Sequence, residues 1–288
     1  MGNLILKFRT FGLGDRIASA SGLRYRCLAA FMTIALGACM TTKSGAQDVG
    51  GAYDLAGQVG AAAYDGGVTI TPRGQSFLMD WQRKSPGNSR GFALRLGDVL
   101  GVAVEDEDDD FGIVLYRVNK GHLAGIWNGY YNTRGPLGRE NLDGAANLEG
   151  TFRISLGSRP DRGQYGGHVE IKHAGQTYLV DWYAPSAHYI GIGVLMGDIF
   201  VVGYASKHRP GVAAYCVNSA IYTGVTAAGE DSALGAEILW AHGKPAPEGL
   251  DAQLAALRKK GTAVVCSSPV VENSKTDPQN LQLGLATP

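Results

Sequence analysis

The sequence predicts an all-β protein: two tandem antiparallel meander units of about eight short strands each, small barrels by their pattern, then a short C-terminal helix. Three observations carry this. Residues 50–143 are written a second time, with drift, as residues 149–241. Within each copy, apolar and polar residues alternate with a period of two, the side-chain period of a strand. No useful helical period occurs between residues 50 and 240.

The duplication is clearest where GQSFLMDW at 74–81 returns as GQTYLVDW at 175–182, 101 positions on. Upstream, Tyr64, Val68 and Ile70 match Tyr165, Val169 and Ile171. Downstream, Gly97-Asp98 matches Gly197-Asp198, Tyr116 matches Tyr215, Gly125 matches Gly224, and Glu140 and Leu142 match Glu237 and Leu239. The offset shrinks only between strand-like runs, where loops tolerate a change of length.

In the first unit strands are expected near 51–57, 64–71, 76–82, 90–96, 98–105, 111–118, 122–128 and 138–143, with the same order in the second. Phe77, Met79 and Trp81 share one strand face, and Leu78 and Asp80 the other. Gly97-Asp98 and Gly197-Asp198 have hairpin chemistry, glycine taking positive φ and aspartate capping its own backbone. Gly91 and Gly191 leave strand positions small enough to accommodate Trp81 and Trp182. Short connections make consecutive strands antiparallel, and closing the meander removes its edges. Beyond Pro245-Ala246-Pro247, Leu250, Leu254 and Leu257 form a helical stripe that ends in Arg258-Lys259-Lys260 and Gly261. Residues 242–288 therefore read as this helix and a disordered polar tail.

The N-terminus reads as an export signal over 1–38, followed by a linker over 39–49. Lys7, Arg9, Arg16, Arg24 and Arg26 precede the 13-residue apolar run CLAAFMTIALGAC, too short for a membrane span of about 20 residues. Leu36-Gly37-Ala38-Cys39 resembles the lipobox of bacterial lipoproteins. That resemblance implies cleavage before Cys39, which becomes the lipid-modified N-terminus, and an anchor of several acyl chains such as palmitate. The expected location is the bacterial cell envelope, in the outer membrane facing the periplasm. With Cys39 lipidated, Cys216 and Cys266 remain as an even pair and a candidate disulfide.

Chemistry-bearing motifs are scarce. HExxH and CxxC are missing from the sequence, no serine sits in an elbow context, and the histidines do not cluster. Neither metal nor cofactor nor catalytic residue is expected, and a formal net charge of zero gives no field towards nucleic acid. The acidic run 105–110 and the basic Lys207-His208-Arg209 fall in equivalent loops, a candidate charge pairing between units. Asp80 and Asp181 lie on the face opposite the aromatics and read as structural; a hydrolase or isomerase built on them is the alternative.

By pattern the units resemble up-and-down barrels of the lipocalin or avidin kind. They are also similar to secreted bacterial repeat proteins with the unit GxVxIxxxGxxYxxxW…GDxLxVxY…GVxxYxV. The binding candidates are the aromatics Tyr64, Phe77, Trp81, Tyr116 and Trp127 of the first unit, and Tyr165, Tyr178, Trp182 and Tyr215 of the second. Either they fill small barrel interiors, the first reading, or they line an apolar pocket. Trp127 has no counterpart, since Thr226 stands in its place. The expected protein is a lipid-anchored envelope component with a structural or binding role and no catalysis. Its expected partners are the membrane, another envelope protein or a small apolar ligand.

Overall fold

The computed structural model describes residues 49–84, 87–105, 111–217, 219–228, 234–261 and 264–266. The signal, Cys39, the acidic residues 106–110 and the polar tail fall outside these residues. The first copy of the repeat gives β1 (Gly51–Val59), β2 (Ala62–Arg73), β3 (Ser76–Arg83), β4 (Ser89–Leu96), β5 (Val99–Glu105), β6 (Phe111–Asn119), β7 (His122–Gly129) and β8 (Gly138–Asp143). The second gives β9 (Gly150–Ser158), β10 (His168–Ala174), β11 (Thr177–Ala184), β12 (Ala187–Met196), β13 (Ile199–Ala205), β14 (Gly211–Cys216), β15 (Ile221–Ala227) and β16 (Gly235–Ala241). One helix, α1 (Leu250–Lys260), follows them.

The strands close into two antiparallel barrels of eight strands each. Sequential strands pair as the short connections require, and the turns at Gly97 and Gly197 have φ of +61° and +62°. The barrels, however, do not coincide with the repeats. The first barrel contains β1–β5 and β14–β16; the second contains β6–β13. At the same point in each copy the chain leaves one barrel for the other, so β5 pairs with β14 and β13 with β6. Duplication explains why this fits. Leu100 lies opposite Tyr215, and Phe200, the counterpart of Leu100, lies opposite Tyr116, the counterpart of Tyr215. Reciprocal hydrogen bonds of 2.9 Å finish both seams, from Val217 N–H to the Asp98 carbonyl and from Val118 N–H to the Asp198 carbonyl.

Three apolar clusters result. One fills the first barrel around Met79, Trp81, Leu100 and Tyr215, and one the second around Val114, Tyr116, Phe152 and Val180. The third lies between the barrels, where Phe92, Leu94, Val99 and Ala103 meet Ile113, Leu115, Val194 and Val201. Strands at this seam are buried on both faces, which is why VLGVAV and FGIVLY read as continuous apolar runs rather than alternations. Each fully buried aliphatic side chain contributes about 1.5–3 kcal/mol to holding the pair together. At Gly101 the approach is so close that a Cβ would lie 2.6 Å from Val201 Cγ1. Helix α1 buries Leu254 and Leu257 against the same cluster, and Cys266 beyond it is disulfide-bonded to Cys216 of β14, with Cα atoms 5.3 Å apart.

Candidate functional site

Strand alternation sends Glu140 of β8 and Glu237 of β16 inward, each into a different barrel, 3% and 1% exposed. A lone buried carboxylate is costly, so its donors matter. In the second barrel Tyr116 Oη donates to Glu140 Oε1, Tyr165 Oη to Oε2 at 2.8 Å, and Trp182 Nε1 to Oε1 at 3.1 Å. In the first barrel Tyr64 Oη donates to Glu237 Oε1 at 2.6 Å and Tyr215 Oη to Oε2. These are equivalent tyrosines in equivalent roles.

Glycines make room for them. A Cβ on Gly125 would lie 2.5 Å from Tyr116 Cδ1, and one on Gly224 would lie 2.3 Å from Tyr215 Cδ1. Each ring therefore lies flat over a glycine of the neighbouring strand and reaches its glutamate. Trp81 lies over Gly91 in the same way, 2.7 Å from where a Cβ would stand.

The third donor separates the barrels. Arg83, at the inward end of β3, places Nη1 3.8 Å from Glu237 Oε1 and lies over the rings of Tyr64 and Trp81 at 5.6 and 5.9 Å. Its Nη2 also donates to Ser89 Oγ at 2.5 Å and its Nε to the Gly87 carbonyl at 3.2 Å. The first barrel is thus filled at this end by its own guanidinium. The residue equivalent to Arg83 is Ala184. There the second barrel opens into a cavity of about 1080 Å³, with Glu140 in its wall.

Trp127, Tyr165, Trp182, Tyr189 and Tyr204 line this cavity. Tyr204 stands at the centre of the aromatic wall, 5.6–6.4 Å from the ring centroids of Tyr189, Trp182 and Trp127. Trp127 Nε1 is buried without a hydrogen-bond partner among the described residues. The β9–β10 connection, with Arg159 and Asp161, forms the rim beside exposed Tyr131. Burial pushes the Glu140 carboxyl above its ordinary value, against the hydrogen bonds from Tyr116, Trp182 and Tyr165. Burial, then the adjacent carboxylate, pushes the Tyr116 and Tyr165 hydroxyls well up, and Tyr64 and Tyr215 behave alike beside Glu237.

The strand exchange re-sorts the aromatics expected from sequence. Tyr64, Phe77, Trp81 and Tyr215 share the first barrel, while Tyr116, Trp127, Tyr165, Tyr178 and Trp182 share the second. Of these, Trp127, Tyr165 and Trp182 line the cavity. Tyr116 braces Glu140, and Tyr178 packs edge-on against Phe200, 5.3 Å between centroids. Sequence reasoning passed over Glu140, Glu237 and Arg83. The signal was present: a glutamate repeated in both copies, two positions before a core leucine, on the inward face. Asp80 is exposed on the outer face, and Asp181 pairs with Arg209 at 2.9 Å. Of the two loops expected to pair by charge, acidic residues 106–110 lie outside those described, whereas Arg209 of the basic loop is engaged by Asp181 of its own copy. Among the described residues no group of three or more His, Cys, Asp or Glu is placed to hold a metal ion, and no helix is long and apolar enough to cross a membrane.

Fold and site define a twin-barrel protein with a carboxylate-centred aromatic cavity in one barrel. No family model matches the chain, and comparison with curated proteins and with solved structures finds no match.

Proposed function

We propose that this protein is a lipid-anchored component of the bacterial cell envelope that binds a small molecule in its second barrel and performs no catalysis on it. The observation that carries the reading is the difference between equivalent barrel ends: Arg83 fills one, whereas Ala184 leaves a cavity of about 1080 Å³ in the other. That volume and its aromatic lining suit a ligand of drug-like size. Glu140 accepts from two tyrosines and a tryptophan, which suits a fixed binding group better than a mobile acid or base. Asp80 and Asp181 face away from the cavity, which favours binding over hydrolysis or isomerisation. The anchor rests on Leu36-Gly37-Ala38-Cys39, and Cys39→Ala should abolish incorporation of labelled fatty acid.

The test of binding is a panel of neutral, anionic and cationic aromatic small molecules, followed by tryptophan fluorescence and thermal shift. One class should bind saturably, and Ala184→Arg, which carries the first barrel's own plug into the second, should abolish that binding while leaving the circular dichroism unchanged. A panel in which no class binds overturns the carrier reading.

A further inference from the structure

We infer that the ligand of the second barrel is an organic cation, a guanidinium or amine on an apolar body, held by Glu140 and the aromatic wall as the first barrel holds Arg83. The inference rests on the carrier reading and names its ligand class. Duplication supplies an internal comparison. The two barrels share a buried glutamate, two tyrosines that donate to it and an equivalent buried tryptophan, Trp81 in the first and Trp182 in the second. In the first barrel that constellation holds a guanidinium, with the carboxylate 3.8 Å from Nη1 and two ring faces within 5.9 Å of its carbon. Such placement over aromatic faces is how proteins recognise cations.

The second barrel keeps the constellation and lacks the arginine. Among the described residues its carboxylate has neutral donors only, and one cation, Arg159, lines the cavity, exposed at the rim with Asp161 close by in sequence. Trp182 Nε1 and Tyr116 occupy Oε1, whereas Oε2 accepts from Tyr165. Two oxygens offer about four acceptor directions, so Oε2 has capacity for a further donor. An incoming cation restores the counter-charge that Ala184 withholds. A cation favours the charged form of this buried carboxyl, whereas an anionic ligand would further oppose its ionisation and a neutral one would leave the cost of its burial unmet. The extra tryptophan, Trp127, extends the aromatic wall where the first barrel has Thr226, so the ligand carries more apolar surface than an arginine stem.

Four probes of one shape separate the classes on the full chain: benzylguanidinium, benzylammonium, benzyl alcohol and benzoate, measured by calorimetry. Both cations should bind at least about tenfold more tightly than the alcohol, the scale of one charged hydrogen bond, and Glu140→Gln should erase that preference. Ala184→Arg should abolish cation binding, and it serves as the second variant if Glu140→Gln does not fold. Equal or tighter binding of the alcohol or benzoate overturns the inference and leaves the carrier reading standing. Failure of both cations to bind overturns it too, and the broader panel then decides the carrier reading by itself.

Discussion

Arg83 and Glu237 belong to different copies of the repeat, yet they meet inside one barrel, Nη1 to Oε1 at 3.8 Å. The exchange of strands brings them together, since β3 and β16 close the same sheet. Both side chains are largely buried, at 12% and 2% exposure. Removing one partner of a buried pair leaves an uncompensated charge. Arg83→Met should therefore lower stability by about 3–5 kcal/mol, and adding Glu237→Gln should recover most of the loss. Urea is the denaturant for this measurement, because guanidinium resembles the group being removed. A single variant as stable as the double would contradict the pairing.

Glu140 is the matching carboxylate without a cation. It faces Tyr116 on β6, Tyr165 ahead of β10 and Trp182 on β11, with Arg159 and Asp161 at the rim. Burial raises its folded-state value above the ordinary 4.5. The folded protein then holds this proton more tightly than the unfolded chain. Its contribution is most favourable below the ordinary value and declines as pH rises towards the folded one, by up to about 1.4 kcal/mol per pH unit. Asp54 and Asp143, lowered by hydrogen bonds from His242 and His122, act in the opposite sense, so a difference measurement is required. Glu140→Gln should gain stability relative to the native chain as pH rises above the ordinary 4.5 in urea titrations. Parallel curves would refute this.

The four tyrosines on the two glutamates set the alkaline limit. Tyr64, Tyr116, Tyr165 and Tyr215 are all raised above the ordinary value of 10.0, first by burial and then by the carboxylates. The native state keeps these protons after the unfolded chain has lost its own, so stability is retained below pH 10 and falls above it. Absorbance at 295 nm should show an early phase from exposed phenols and a late, cooperative phase coincident with loss of circular dichroism. A single smooth titration without unfolding would show the tyrosines to be accessible.

Gly224 lies beneath Tyr215 and Gly125 beneath Tyr116, and neither has space for a side chain. Substituting either with alanine forces the ring off its strand and away from its glutamate. Each variant should lose about 1–3 kcal/mol, the usual cost of overpacking. Gly125→Ala should also weaken ligand binding to the second barrel, while Gly224→Ala should leave it intact.

Strand positions were legible in the sequence because alternation and Gly-Asp turns are local signals. The inward face of Trp81 and Trp182 followed from the same period. The grouping of strands was not local. The edge of β5 that pairs with β14 would suit β6 as well, because duplication made β6 and β14 alike, and no property of either strand alone chooses between them. This hid the second barrel's cavity. Trp127 and Ala184 stand in different copies, and they share an interior only after the exchange. Arg83 was passed over for a related reason: at the end of a strand it reads as a solvated cation until Glu237 is brought beside it.

The exchange also predicts how one copy of the repeat behaves alone. In the intact chain β4, β5 and β6 bury Phe92, Leu94, Ile113 and Leu115 between the barrels. A fragment of residues 50–143 that closed on itself would expose that apolar face to water. Two copies can instead trade β6–β8, as the two halves of the chain do, and pack the same faces together. The cost of joining two chains is offset by burial of four large side chains per copy, at about 1.5–3 kcal/mol each. The fragment should therefore run as a dimer by light scattering at micromolar concentration. Gly101→Leu, which places a side chain where Val201 and Leu115 approach in the parent, should weaken that dimer. A monomeric fragment with the β-sheet spectrum of the parent would mean that the copies close independently and that the exchange is not required by the buried seam.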